Sequence, residues 1–323
     1  MRLKSVQWPG LTLATRAPSY TEMNTDYGHL PHLGLLRFHG PDAASFLQGQ
    51  VSIDTRQLES GSAVLAAYSS PQGRVLSILH LLPHSSGVIA ILPSELLQQV
   101  RERLQKFVMR SKVQIEDVSQ QLCVAGQHAV DAPDMDAPSY GERDGICVAR
   151  LSQDPQRCWI VGSNAALASR GLVGDVLDQE RIERRWRLQD IRAGLPQVYL
   201  ATSELFVAQM LNLDLINGIS FTKGCFTGQE IIARTQHLGR VKRRMHRLRL
   251  PAGNWSIGQS LKLTDGRAGR LIEVIATGEC FEALAVLNLP DSGTAHELAV
   301  EDAVAADELP LPYRLGLGIP ASL

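Results

Sequence analysis

The sequence predicts an α+β fold, and three observations carry that reading. Apolar residues recur at helical spacing over two long stretches, near 95–110 and 178–193. Around them lie short β-type runs separated by Gly, Pro and Asp. From Val241 to about Leu289 there are only short strands and turns, including "TDGRAGR", with no strong helical pattern. Strands and helices mixed in this order suit an α+β body better than a regular parallel sheet.

The elements follow in order. "LGLLRFHG", Leu33 to Gly40, is a short apolar strand closed by glycine. In "PDAASFLQGQ", Pro41 suits a first helical turn and Ala44, Phe46 and Leu47 supply a modest apolar face. "SAVLAAYSS" and "RVLSILHLL" flank the turn "SPQG" as a β-hairpin, and "GVIAIL" is a third strand. Behind Ser94, Leu96, Leu97, Val100, Leu104, Phe107 and Val108 form one apolar helix stripe. "KVQIEDV", "QLCVAG", "ICVARL" and "CWIVG" read as strands, and "DAPDMDAPSYGERDG" as a surface loop. "DQERIERRWRLQDIRAG" is a second helix, ended by Gly194 and Pro196. A boundary is expected near Gly239, dividing a region 1–238, of two subdomains, from a C-terminal barrel or sandwich at 239–323.

Composition narrows the function. The 323 residues are 44% hydrophobic and 20% charged with net charge −1, which argues against a general nucleic-acid coat or a membrane-surface protein while allowing a local basic patch. The first twenty residues have no apolar core of a secretory signal, and no run approaches the ~20 apolar residues that span a bilayer. Cys123, Cys147, Cys158, Cys225 and Cys280 are widely spaced with no C-x-x-C, so neither a zinc nor a self-contained iron–sulfur site is read, and reduced thiols in a cytoplasmic protein are expected.

Cys225 stands apart. In "FTKGCFTGQE", Thr227 and Glu230 form a T-x-x-E capping box at the start of the helix "QEIIARTQH". A thiol just ahead of a helix N-terminus, with Lys223 beside it, is placed to favour the thiolate. Gly224 and Gly228 let the backbone turn sharply or approach a ligand. His237 lies about 15 Å away at helical rise and cannot serve as a local base. The alternative is a small residue packed in a glycine-rich turn.

"KGCFTGQEIIAR" resembles the signature K-G-C-[FY]-x-G-Q-E of the YgfZ family, relatives of the glycine-cleavage T-protein. Lys223, Gly224, Cys225, Phe226, Gly228, Gln229 and Glu230 all fit. "FVAQMLNLDLINGISF", with Ala208 in place of the usual proline, "FLQGQVSIDTRQL", "SPQGRVL", "MRSKVQIEDVS" and "IRAGLPQV" are also similar to family stretches. The resemblance implies a T-protein-like folate-binding α+β body with a small C-terminal β-barrel. It also implies a tetrahydrofolate-type ligand, and a role in assembling or repairing iron–sulfur clusters for tRNA-modifying enzymes. Cys225 would be the functional thiol, with Lys223 beside it. Whether it ligates a cluster, attacks a bound intermediate or senses oxidation is left open. Partners would be folate and iron–sulfur enzymes or assembly proteins, with tRNA contacted indirectly and no membrane.

The same resemblance sets out the alternatives. Aminomethyltransferases carry an aspartate pair where "GRVLSI" has Ser77 and Ile78, which argues against classical aminomethyl transfer. A folate-dependent one-carbon transferase and a tRNA-binding module remain the alternatives. Trp186 matches a family tryptophan that encloses folate, with a core tryptophan sharing a helix face with Ile182 as the other reading. Leu33 stands where some relatives have a second tryptophan, and Arg192 where many have a glutamate. Gln229 and Glu230 complete the expected ligand-binding set. "RVKRRMHRLRL" is either a solvated strand face or an anion site for a folate glutamate tail or RNA phosphates.

Overall fold

The computed structural model describes residues 27–59, 63–128, 140–173, 176–237, 241–288 and 303–315. The chain divides into two compact units: 1–66 with 79–186, and 67–78 with 187–323. The expected boundary at Gly239 lies outside the described residues. Three elements, the strands β3 (Val64–Ser69) and β4 (Val75–His84) and the helix α5 (Val176–Ala193), run from one unit into the other.

Two antiparallel sheets are built wholly or mostly from strands of the first unit. One has the order β3-β4-β5-β2-β6, built with β2 (Leu33–His39), β5 (Gly87–Pro93) and β6 (Gln114–Asp117). The expected strands all appear, and the continuous apolar runs in β3, β4 and β5 are buried throughout or nearly so. That is how a sheet covered on both faces reads in sequence. The helices α1 (Ala43–Gln48) and α2 (Arg56–Glu59) lie between β2 and β3, with Phe46 and Leu47 of α1 in the core. Helix α3 (Leu97–Gln105) buries Leu97, Val100 and Leu104.

The other sheet has the order β1-β7-β10-β9-β8, with β1 (Tyr27–His29), β7 (Cys123–His128), β8 (Tyr140–Arg143), β9 (Ile146–Leu151) and β10 (Asp154–Gly162). Strand β8 corrects the sequence reading, which put Tyr140 to Gly145 in a surface loop. Asp144 at φ 53° and Gly145 at φ 74° join β8 to β9. Two consecutive positive φ values are the signature of a type I′ hairpin turn, and Asp-Gly is a favoured pair for it. Short helix α4 (Asn164–Ala168) follows β10, its first turn capped by Ser163 Oγ accepting from the Ala166 N–H at 3.2 Å.

Helix α5 (Val176–Ala193) ends as expected at Gly194, which takes the left-handed conformation at φ 65°. The second unit continues through α6 (Gln229–His237) into an antiparallel sheet of order β12-β13-β14-β11-β15. Its strands are β11 (Arg243–Leu250), β12 (Ser260–Lys262), β13 (Ala268–Thr277), β14 (Cys280–Asn288) and β15 (Asp307–Leu309). Leu248, Leu250, Leu261, Leu263, Leu271, Ala283, Ala285 and Leu287 form its core. Strand β15 lies beyond the region where the sequence suggested strands. It pairs with the arginine-rich strand β11.

Candidate functional site

The cysteine loop lies in the second unit and is built on glycine contacts. Gly228, at φ 83°, immediately precedes α6. A Cβ there would stand 2.7 Å from the Ser70 carbonyl oxygen and 3.1 Å from Gly73 Cα. A Cβ on Gly73, at φ 72°, would meet Ile231 Cβ at 2.7 Å. The turn of "SPQG" and the start of α6 therefore touch backbone to backbone, which only glycine permits.

The other side of the turn is stitched to the segment 204–207. The Val75 N–H donates to the Phe206 carbonyl at 2.8 Å, the Glu204 N–H to the Val75 carbonyl at 2.8 Å, and Arg74 Nη1 to the Leu205 carbonyl at 2.9 Å. Gln209, fully buried in the stretch "FVAQ", donates through Nε2 to the Ile232 carbonyl of α6 at 2.7 Å.

On this base, Cys225 is exposed while its neighbours anchor the loop. Lys223 is only 5% exposed, with Nζ 4.9 Å from the Phe226 ring centroid, and Phe226 is itself buried. A cation over an aromatic face holds both side chains down. A Cβ on Gly224 would meet nothing within 4 Å, so the loop faces open space beside the thiol. Buried Cys147 and Cys158 contrast with it: burial pushes each thiol up to about 12.

The capping box differs from expectation. Helix α6 starts at Gln229, so Gly228 takes the position before the first turn, one residue later than a Thr227 cap requires. Glu230 is exposed and accepts from Arg234 Nη2 one helical turn on, at 2.8 Å. Gln229 opens the helix, its N–H bonded to the Phe226 carbonyl at 3.1 Å.

Arg192, also in the second unit, is committed to Glu282. Its Nη2 lies 2.8 Å from Oε1, while Arg247 Nη2 lies 2.6 Å from Oε2 of the same carboxylate. Burial alone would raise the Glu282 carboxyl, but the two guanidiniums hold it below its usual value. Arg244 and Arg249 of β11 are similarly engaged, and His246 on the same strand also meets a carboxylate. Arg244 makes a buried two-pronged pair with Asp214 at 2.6 and 2.8 Å, Arg249 faces Asp307, and His246 Nδ1 meets Glu308 at 2.8 Å. An anion site along this strand would have to displace those carboxylates, so its described part reads as an ion-pair ladder, buried at Arg244 and exposed at Arg249, with Lys242 and Arg243 exposed beside it. Arg240 lies outside the described residues.

Trp186 and Leu33 belong to the first unit. Gly28 of β1 and Gly126 of β7 face each other in register, and Trp159 of β10 is the next residue in that row. Cβ atoms on the two glycines would run into Ile182 and Trp186 at 2.3 Å each. The paired glycines thus form a slot for one face of α5, and residues four apart on that helix fill it.

Trp186 is 6% exposed and meets Trp159 at 4.7 Å between ring centroids, with Arg157 Cζ 4.6 Å from its own centroid. Arg157 is anchored by Asp154 at 2.7 Å. His80 stands edge-on to Trp159 at 4.9 Å, and burial, with the Arg157 charge, pushes it down to about 3. The core reading of Trp186 therefore describes its packing. Its Nε1 and that of Trp159 are nevertheless buried donors that find no acceptor among the described residues. Leu33, at the start of β2, is 9% exposed and pairs with Pro93. The sequence reading missed Gly28, Gly126, Arg157, Trp159 and His80. The pattern "YGH" and "VAGQH", a glycine inside each of two strands, was the available signal.

A scan against models of protein families finds no match. Among curated proteins, the tRNA-modifying protein YgfZ of Enterobacter sp. (strain 638) is 31% identical over 313 residues, covering 87% of this chain and 91% of that protein. The tRNA-modifying protein YgfZ of Vibrio atlanticus (strain LGP32) is 30% identical over 300 residues, covering 89% and 92%. The chain belongs to the YgfZ family. Among solved structures, the glycine cleavage system aminomethyltransferase T from Bartonella henselae superposes with a TM-score of 0.57 over 81% of this chain and 78% of that one, at 13% identity. This YgfZ-family chain therefore has the T-protein-like α+β fold. Where the resemblance to aminomethyltransferases would place the aspartate pair, Ser77 and Ile78 are fully buried and supply no carboxylate. Among the described residues of this YgfZ-family protein, no cluster of three His, Cys, Asp or Glu could hold a metal ion. None of its described helices is long and apolar enough to cross a membrane.

Proposed function

We propose that this protein is a cytoplasmic accessory factor in tRNA modification that supports iron–sulfur enzymes through the Cys225 thiol and binds a tetrahydrofolate-type ligand. The observation that carries the reading is the presentation of Cys225. It is exposed on a loop whose flanking side chains are buried and whose base is clamped glycine to glycine. An exposed thiol on a loop clamped at its base suits work on a group brought to it, such as a cluster or another protein. The names of the curated relatives support the tRNA pathway.

The residues present fit a folate-type ligand in one respect. Trp159 and Trp186 each carry a buried N–H donor in want of an acceptor, and the carbonyl oxygens of a pterin or benzoylglutamate are acceptors. Those two side chains would hold it, with Leu33 at the position where some relatives have a second tryptophan. Bound tetrahydrofolate would supply a one-carbon carrier.

The decisive experiment is complementation of cells lacking this protein with wild type and Cys225→Ala. Loss of cluster-dependent tRNA modification with an unchanged melting curve is expected, and full modification by the variant rejects the thiol role. Titration with tetrahydrofolate, followed by tryptophan fluorescence in wild type and Trp186→Phe, tests the ligand separately. No response at near-millimolar ligand rejects folate binding. The second reading, a folate-dependent one-carbon transferase, is disfavoured by buried Ser77 and Ile78. Turnover of methylene-tetrahydrofolate would restore it.

A further inference from the structure

The apolar stripe expected through Phe107 and Val108 breaks off early. Helix α3 ends at Gln105, and Phe107 is turned out to 44% exposure. Met109, two residues on, is 88% exposed and held at φ 36°, a left-handed conformation disfavoured for any residue with a Cβ. Two large apolar side chains therefore stand in solvent on a short loop between α3 and β6.

The same segment is strongly basic. From 101 to 112 it carries Arg101, Arg103, Lys106, Arg110 and Lys112 against the single carboxylate of Glu102, in a chain whose net charge is −1. Arg101, Lys106, Arg110 and Lys112 are exposed, and among the described residues none of these four has an ion-pair partner. Glu102 accepts from Gln98 at 2.9 Å. The contrast with Arg244, Arg247 and Arg249 of β11 is direct: those are met by carboxylates from other elements, whereas Arg101, Lys106, Arg110 and Lys112 are left unmatched among the described residues.

We propose that the loop after α3 is an RNA-contact surface. Arg101, Lys106, Arg110 and Lys112 take phosphates, and Phe107 stacks on an unpaired base with Met109 at its flank. Unmatched cations interleaved with an exposed ring are the combination that single-stranded nucleic acid requires: charge for the backbone and a flat face for a base. Against a protein partner stand the two lysines, a type depleted at protein interfaces, although arginine, methionine and aromatic residues are enriched there. An anionic lipid surface would take the same cations and bury the two apolar side chains, so vesicle binding is a separate arm of the test. The proposal concerns a surface separate in sequence from Cys225 and does not depend on the thiol reading.

The test is fluorescence anisotropy of the full chain with a labelled tRNA transcript, from 50 to 300 mM KCl. Four phosphate contacts predict a slope of log K against log salt of roughly −3. Replacing Arg101, Lys106, Arg110 and Lys112 together by Gln should bring the slope close to zero and weaken binding at 50 mM by about a hundred-fold or more. Phe107→Ala should weaken binding by about ten-fold with the slope unchanged. That variant removes a side chain outside the core, so it also guards against misfolding of the fourfold one. Unchanged affinity in both variants, or no tRNA binding at 50 mM KCl, overturns the proposal. Variant-sensitive binding to phosphatidylserine–phosphatidylcholine vesicles, with none to tRNA, assigns the loop to a lipid surface and likewise overturns it.

Discussion

Gly73 and Gly228 meet backbone to backbone: a Cβ on Gly228 would come within 3.1 Å of Gly73 Cα. Both have positive φ, 72° and 83°. The contact joins two stretches more than 150 residues apart in sequence and forms the base of the loop that exposes Cys225. Alanine at Gly228 would place a methyl group 2.7 Å from the Ser70 carbonyl oxygen in a left-handed conformation. We expect Gly228→Ala to destabilise by about 1–3 kcal/mol. Gly73→Ala should act similarly, and the double variant should cost less than the sum, because the shift of the two segments that admits the first methyl group also makes room for the second. Denaturant titration of the four proteins measures this.

Thiol reactivity should separate the cysteines by exposure. Cys225 is exposed, Cys123 and Cys280 are half-buried, and Cys147 and Cys158 are buried with thiols pushed up to about 12. With a disulfide reagent at neutral pH, the fastest phase should correspond to one thiol and disappear in Cys225→Ser. Cys147 and Cys158 should react only on unfolding. A fast phase that survives Cys225→Ser contradicts the exposed loop.

His80 makes stability pH-dependent. Its pKa falls from 6.5 in the unfolded chain to about 3 in the fold, because burial, followed by the nearby Arg157 charge, disfavours the imidazolium. Between those values the unfolded chain binds a proton that the native state refuses. The contribution is present in full above pH 6.5 and is lost as pH falls toward 3, by up to about 1.4 kcal/mol per pH unit. Urea titrations from pH 7 to pH 4 should show this slope, and His80→Gln should reduce it.

The Arg244–Asp214 pair is buried on both sides, at 6% and 7% side-chain exposure. Arg244→Met leaves the Asp214 carboxylate buried without its cation and should cost about 3–5 kcal/mol. Adding Asp214→Leu should recover much of that loss, since a buried pair replaced whole is far less costly than a pair broken. Thermal melts of the single and double variants provide the measurement.

Much of the fold could be read in advance because its signals are local. The helix ending at Gly194, the strands of β4 and β5 and the start of α6 each follow from spacing or from a residue with restricted backbone preferences. The departures are also local in cause. Asp144-Gly145 turned part of an expected loop into β8, and the early end of α3 released Phe107 from the core stripe. Cys225 stood out because its whole motif lies within ten residues.

The sequence by itself determined the α+β class, most element positions, the family resemblance and the singular placing of Cys225, since periodicity and backbone restriction act over a few residues. Tertiary structure alone decided what the basic strand is for, because the carboxylates that meet its arginines, Asp214, Glu282 and Asp307, lie 30 to 58 residues away in sequence. It also decided that Trp186 sits in a slot made by Gly28 and Gly126 and that Phe107 faces solvent. Whether a charge is matched or a ring is covered depends on which distant segment folds against it, and no local pattern encodes that partner.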